Sequence, residues 1–327
     1  MPINWSAFAE IVAAHQRFLL VSHIRPDADA LGSELGMCAV LESLGKHVRI
    51  VNGQGTPPNL KFLDPRGKIQ AINIDVQPAD LDDVEVLIVL DTSAWAQLGA
   101  MGDVIRTTKA RKLIVDHHVS QDDLGAELFK DTTAEATGRL VTDFARFMNV
   151  KLTPEIATPL FAAVATDTGW FRFASTSGGT YRCGGELLDG GAVPADIYRQ
   201  LYEQDSLARV HLIGRVLCRA TPELDGRLIY THVTRADFAE LGALPSDTED
   251  IINMTLQVGG TQVAAIFVEL LAGGVKVSLR SRSAVNCSQL AEKFGGGGHK
   301  AAAGLTLHEP LEVVQAKILD ALRAAMV

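Results

Sequence analysis

The chain has 327 residues, 47% of them hydrophobic and 21% charged, which is material for two domains of ordinary size and excludes wholesale disorder. With 30 Lys and Arg against 39 Asp and Glu, the formal net charge is -9. That excludes bulk electrostatic coating of long duplex nucleic acid, but not the capture of a short anion by cations gathered in one place.

The first twenty residues, MPINWSAFAEIVAAHQRFLL, lack a basic n-region and a cleavage site, so no secretory signal is expected. The longest apolar runs, such as VLIVL before Asp91, fall well short of a membrane span. Cys38, Cys183, Cys218 and Cys287 are scattered with no C-x-x-C pair, which argues against a disulfide framework and fits a reducing cytoplasm. FLLVSHI reads as a buried strand. SELGMCAVLESLG follows as a helix, with Leu35, Ala39, Val40 and Leu44 at helical spacing and Gly45 placed to stop it. HVRIVN, VEVLIVLDTS and RKLIVDHHVS are further strands, and AEATGRLVTDFARFMNV and TPEIATPLFAAVATDTGW are successive helices. Strands alternating with helices predict an α/β domain over residues 1–190, its mainly parallel sheet flanked by helices. Residues 191–220 read as a helical connector. Over 221–327, RLIYTHVT, QVAAIFVEL and GVKVSLRSR predict a second, smaller sheet, with Gly273 and Gly274 in a hairpin turn. SAVNCSQLAEKF then reads as a helix, GGGGHKAAAG follows, and a last helix closes this smaller C-terminal α/β domain.

In parallel sheets ligands bind beyond the carboxyl ends of the strands. Three of the apolar runs end in carboxylates or imidazoles: His23, Asp27 and Asp29 in HIRPDADALGS, Asp91 in LDTS, and Asp116, His117 and His118 in VDHHVS. Asp167 in ATDTGWFRF adds a fourth segment. Each has an ordinary alternative. Asp27 or Asp29 could cap the next helix, Asp167 could be a cap, and VDHHVS could be a solvated turn. Coincidence in four segments is improbable. His23, Asp27, Asp29, Asp91, His117, His118 and Asp167 exceed the ligand set of one metal and suit two, and a thiolate-free set favours manganese, magnesium or related ions.

HIRPDADALGS, LDTS, VDHHVS and TDTGWF, in that order, resemble the four motifs of the DHH phosphoesterase family. RSR, NCSQLA and GGGGHKAAAG resemble the DHH-associated C-terminal domain, and TDTGWFRFAST is most similar to the nanoRNase/pAp phosphatase branch. The resemblance implies a hydrolase with two manganese ions, for which magnesium or cobalt could substitute, and an active site in the cleft between the domains. His23 and Asp27 would bind one ion, Asp29, His117 and Asp167 the other, and Asp91 would bridge them. His118 would contact the scissile phosphate or help with proton transfer, with Asp116 behind it. Arg25 and Ala28 stand where many members read asparagine and glycine, and neither position is a ligand.

In GGGGHK the glycines let backbone amides approach an anion, and the spacing is not that of a Walker A loop. Arg280 and Arg282 end a strand beside it, and a side-chain period of two predicts that they share a face. Arg280, Ser281, Asn286, Gly297, Gly298 and His299 are the expected substrate-binding residues, with Arg282 and Lys300 weaker candidates. Arg172 and Phe173 could line the first domain's side, whereas Trp170 and Phe171 read as core packing. The lone histidines His15, His47, His211, His232 and His308 carry no assignment.

The expected protein is a cytoplasmic, manganese-dependent phosphohydrolase that acts on short RNA oligonucleotides and on 3′-phosphoadenosine 5′-phosphate. It has no membrane partner, and a homodimer is compatible with the pattern. The rival enzyme is a phosphodiesterase of linear or cyclic dinucleotides, and the rival outside catalysis is a nucleotide sensor.

Overall fold

The computed structural model describes residues 3–326. The chain forms two compact units that divide between Gln204 and Asp205. The first contains α1 (Trp5–Ala14), β1 (Arg17–Val21), α2 (Ala28–Ser43), β2 (His47–Asn52), β3 (Ile69–Ala71), β4 (Val86–Leu90), α3 (Met101–Thr107), β5 (Arg111–Asp116) and β6 (Glu127–Lys130). α4 (Thr137–Phe147), α5 (Pro154–Asp167), α6 (Gly178–Asp189) and α7 (Pro194–Tyr202) complete it. Its sheet runs β3-β2-β1-β4-β5-β6 with every neighbouring pair parallel.

The parallel sheet follows from strands that are apolar on both faces. Phe18, Leu20, Val86 and Ile88 pack on one side with residues of α2, α4 and α5, while Leu19, Val21, Leu87 and Val89 pack on the other with residues of α3. Strand order reverses between β1 and β4, where a doubly wound sheet opens a crevice at its carboxyl edge. β3, β6, α1 and α3 were not expected from sequence. β3 has only three residues, and the first two residues of β6 are exposed, so neither carries an apolar run.

α2 begins five residues earlier than its apolar spacing predicts, because Asp27 caps it. It lies close against α5. A Cβ on Gly32 would land on the Pro159 carbonyl oxygen, and one on Gly36 would land on the Leu160 side chain. The helix ends as expected. Gly45 takes φ 76°, its N–H donates to Glu42 O (2.9 Å), and Lys46 N–H donates to Leu41 O (3.1 Å).

The second unit contains α8 (Leu207–Cys218), β7 (Thr221–Glu223), β8 (Leu228–Val233), α9 (Arg235–Leu241), α10 (Ile251–Leu256), β9 (Val263–Glu269) and β10 (Val275–Ser281). α11 (Cys287–Glu292), β11 (Gly297–Gly298), β12 (Ala302–Leu307) and α12 (Leu311–Ala325) follow. The segment read as a connector is therefore shared, since α7 packs on the first unit and α8 on the second. The second sheet, β11-β12-β10-β9-β8-β7, is antiparallel except for the β8–β9 pair. It has six strands, as many as the first, and so is not the smaller sheet the sequence suggested. α11 and α12 cover one face and α8, α9 and α10 the other. Gly273 and Gly274, at φ 98° and 87°, turn β9 into β10 as expected. Among the described residues, no helix is long and apolar enough to cross a membrane.

Candidate metal-binding active site

Four expected segments meet at the carboxyl edge of the first sheet. Beyond β1, Ser22 N–H donates to Asn52 Oδ1 (2.8 Å), which fixes the residue preceding His23. Asn52 Nδ2 in turn donates to Glu34 Oε2 (2.9 Å). Burial pushes the Glu34 carboxyl up to about 8. His23 Nδ1 faces the Ile24 carbonyl oxygen (3.0 Å), which can only accept. The ring proton therefore belongs on Nδ1, and Nε2 is free to ligate, 3.4 Å from Asp91 Oδ2. Asp27 Oδ1 accepts from Asp29 N–H and Ala30 N–H, both at 3.0 Å. Capping is compatible with the expected ligand role, because Oδ2 takes neither bond and Oδ1 still lies 4.0 Å from His23 Nε2.

Asp29 is almost fully buried at the amino end of α4. Oδ2 accepts from Thr137 N–H (2.8 Å), and Oδ1 accepts from Gly138 N–H (2.9 Å). The positive end of α4 therefore holds a carboxylate. Asp91 follows β4 with φ 62°, and its Oδ1 accepts from Thr137 Oγ1 (2.9 Å). His117 Nδ1 faces the Ala134 carbonyl oxygen (3.2 Å), so its Nε2 is also free. That nitrogen lies 3.5 Å from Asp91 Oδ1, 3.5 Å from Asp167 Oδ2 and 3.7 Å from Asp29 Oδ2. The two oxygens of Asp91 thus face two different histidines.

Burial raises the affinity of these acids for protons. Asp29 is raised well above its ordinary value by burial and by Asp91 and Asp167, Asp91 by burial and by Asp27, and Asp167 by burial, against the pull of His117. Like charges held this close away from water call for cations. Ligand atoms in each of three sets approach within 4.8 Å of one another: His23, Asp27 and Asp91; Asp29, His117 and Asp167; and Asp91, His117 and His118. The first two share no residue. Oxygen and imidazole donors without thiolate fit hard or borderline divalent ions.

His118 differs from its neighbour. Its Nδ1 lies 2.9 Å from Asp116 Oδ1, which also accepts from the His118 N–H (3.0 Å). Burial would raise the pKa of Asp116, but hydrogen bonds from His118, Ser93 and Lys130 outweigh it and hold the carboxyl well below the usual carboxylate range. Asp116 is therefore an ionised acceptor, and His118 Nδ1 carries a proton toward it. Asp116 in return raises the pKa of His118. A cavity of about 250 Å³ is lined by His23, Asp27, Asp91, His118, Ser120 and Asp167.

After α5, Trp170 and Phe171 pack on the core as expected. The Arg172 guanidinium is tied to the Gly169 carbonyl oxygen (2.6 Å), and Phe173 is exposed.

In the second unit, β10 brings Arg280 opposite Ala302, and Ser281 N–H donates to Ala301 O (2.8 Å). His299 N–H donates to Ala302 O (2.7 Å), and Gly297 and Gly298 pair with Gly304 and Ala303. Arg280, Ser281, Gly297, Gly298 and His299 are thus gathered by strand register. Gly298 has φ 145°, and a Cβ there would press on Ala302 O and Ala303, so the position requires glycine. Asn286 caps α11, its Oδ1 accepting from Gln289 N–H (3.2 Å), and Cys287 N–H donates to Lys300 O (2.8 Å). Arg282 departs from expectation. It lies beyond the end of β10, where the strand period no longer applies, and its guanidinium donates to the carbonyl oxygens of Thr261 and Val258.

Sequence reasoning missed Glu34, Asn52, Ser93, Lys130 and Thr137. Ser93 lies within LDTS and Thr137 at the start of a recognisable helix, but no local spacing marks the other three.

Residues 17–164 match the family described as DHH family, N-terminal domain, and residues 225–327 match the DHHA1 domain. The chain is 33% identical to the bifunctional oligoribonuclease and PAP phosphatase NrnA of Thermus thermophilus, over 93% of this chain and 88% of that one. It is 26% identical to the protein of the same name from Bacillus subtilis, over 91% of each. Among solved structures, an exopolyphosphatase-related protein from Bacteroides fragilis is similar at a TM-score of 0.85 and 26% identity, over 98% of this chain and 95% of that one.

Proposed function

The chain belongs to the DHH family, carries a DHHA1 domain and hydrolyses phosphoester bonds, and from that premise we propose that it degrades short RNA oligonucleotides to mononucleotides and converts 3′-phosphoadenosine 5′-phosphate to AMP. The observation that carries this reading is the meeting of buried Asp29 and Asp91 with two histidines whose Nε2 atoms are left free. His23 and Asp27 would hold one divalent cation, Asp29, His117 and Asp167 a second, and Asp91 would offer one oxygen to each. When bound, two such ions, manganese in this reading, supply Lewis acidity toward the phosphoryl oxygens and the attacking water. Thr137 and the amides at the start of α4 keep the acids aimed. His118 presents Nε2 to the phosphate and holds a proton there for the departing oxygen, while Asp116 fixes the ring from behind.

Arg280, Ser281 and His299, with the close-set backbone at Gly297 and Gly298, would bind a phosphate other than the one being cleaved. A second phosphate contact favours substrates that carry more than one phosphate. That is the feature shared by a short oligonucleotide and 3′-phosphoadenosine 5′-phosphate.

The test presents manganese-loaded protein with 3′-phosphoadenosine 5′-phosphate, linear diadenylate and five-residue RNA in parallel, and follows AMP or mononucleotide release. Turnover of all three is expected. Turnover of the diadenylate alone would move the assignment to dinucleotide breakdown. If none of the three turned over, the proposed substrates would be overturned.

A further inference from the structure

Lys130 is the last residue of β6, and its side chain is only 8% exposed. An ammonium has three protons to donate. Here Nζ meets three acceptors: Ser93 Oγ at 2.7 Å, the Ser120 carbonyl oxygen at 2.8 Å and Asp116 Oδ2 at 3.0 Å. Ser93 Oγ in turn donates to the same Asp116 oxygen (2.7 Å). The two oxygens of Asp116 are thereby divided. Oδ2 is occupied by Lys130 and Ser93, and only Oδ1 is left for the His118 ring and amide. By holding Ser120 O, Lys130 also pins the backbone just after His118, and Ser120 lines the same cavity.

We infer that Lys130 is a positioning residue for His118, acting through Asp116 and Ser120 to keep Nδ1 facing the protein and Nε2 facing the phosphate. The inference rests on the reading above that His118 meets the substrate. A carboxylate without its second partner could rotate and share either oxygen with the ring. The ring would then be held less firmly with Nδ1–H toward the protein, and in its protonated form its Nε2–H would no longer be aimed at the departing oxygen. Substrate binding does not require that aim, so the loss should appear in kcat and not in KM.

The test is nitrogen-15 NMR of histidine-labelled, metal-free protein, with base added until the His118 signals no longer move and the imidazole is neutral. His118 is assigned by the signals that vanish in His118→Gln. In the wild type, Nδ1 should be the protonated nitrogen and Nε2 the bare one. In Lys130→Met the two should move toward a common average, and the metal-loaded variant should lose roughly 10- to 100-fold in kcat at unchanged KM. Lys112→Met is the control, because Lys112 Nζ donates to the Leu124 carbonyl oxygen and belongs to a different contact. A His118 spectrum unchanged in Lys130→Met would overturn the inference whatever the activity. So would a wild-type spectrum with Nδ1 bare, which decides the matter even if the variant does not fold. Because the spectrum needs no turnover, failure of the proposed function would be seen separately, as inactive wild type.

Discussion

Asp91 concentrates the chemistry of the site in one side chain. It is 2% exposed, faces a different histidine with each oxygen, and takes a hydrogen bond from Thr137. Burial first, and then Asp27, raise its pKa in the folded, metal-free chain. The folded state therefore holds this proton at pH values where the unfolded state has released it. Stability from the group is lost as pH rises from the ordinary carboxylate range through the raised value. Asp91→Asn removes that loss. The melting temperature of metal-free variant minus wild type should be small below about pH 3, where both states are protonated, and grow more positive toward neutrality. A difference that is flat with pH would contradict this. With manganese added the order should reverse, since the variant has lost a shared ligand, and turnover should be abolished. Thr137→Val keeps the backbone amide on Asp29 and removes only the hydroxyl on Asp91. Titrating manganese into it should show roughly 10- to 100-fold weaker binding or a comparable drop in rate.

At the scale of elements, the site depends on how closely α2 approaches α5, since α2 carries Asp29 and α5 ends in Asp167. Gly32 permits that approach. Gly32→Ala must separate the helices at the Pro159 carbonyl, at a cost of roughly 1–3 kcal/mol in stability. Chemical denaturation should show that loss, and manganese titration should show weakened binding. In the second unit, the two arginines of RSR should behave oppositely. Arg280 has no carboxylate partner among the described ion pairs, and Arg280→Ala should raise KM for 3′-phosphoadenosine 5′-phosphate with little change in kcat. Arg282 is tied to two carbonyl oxygens, so Arg282→Ala should lower stability by roughly 1 kcal/mol and leave KM alone. Equal effects of the two substitutions on KM would mean that Arg282 is released to bind substrate.

Across the whole molecule, each unit has its own sheet and its own hydrophobic clusters. All three tryptophans, Trp5, Trp95 and Trp170, belong to the first unit, which also holds every expected metal ligand. Manganese should therefore raise the melting transition seen by tryptophan fluorescence, by about 2.7 kcal/mol at a hundred times its dissociation constant. A transition of the second unit, followed by circular dichroism, should stay where it was. A manganese-induced shift confined to the second unit would place the ions elsewhere.

By itself the sequence determined the α/β class, the central strands and the segments that bear the acids and histidines. An apolar run ending in Asp or His is a local pattern, and parallel strands bring such ends to one edge whatever the details between them. Gly45 and the Gly273–Gly274 turn were legible for the same reason, since the conformation each supports is set by its own backbone. Tertiary structure alone decided how those side chains are aimed. Asp29 is gripped by amides more than a hundred residues away, Glu34 and Asn52 stand behind His23, and Lys130 reaches Asp116 from a strand too short and polar to be recognised. It also decided that α7 and α8 belong to different units and that Arg282 leaves the strand to hold a loop. Hydrogen bonds between distant segments follow no periodicity along the chain. They exist only once packing has brought donor and acceptor together and removed the water that would otherwise satisfy them.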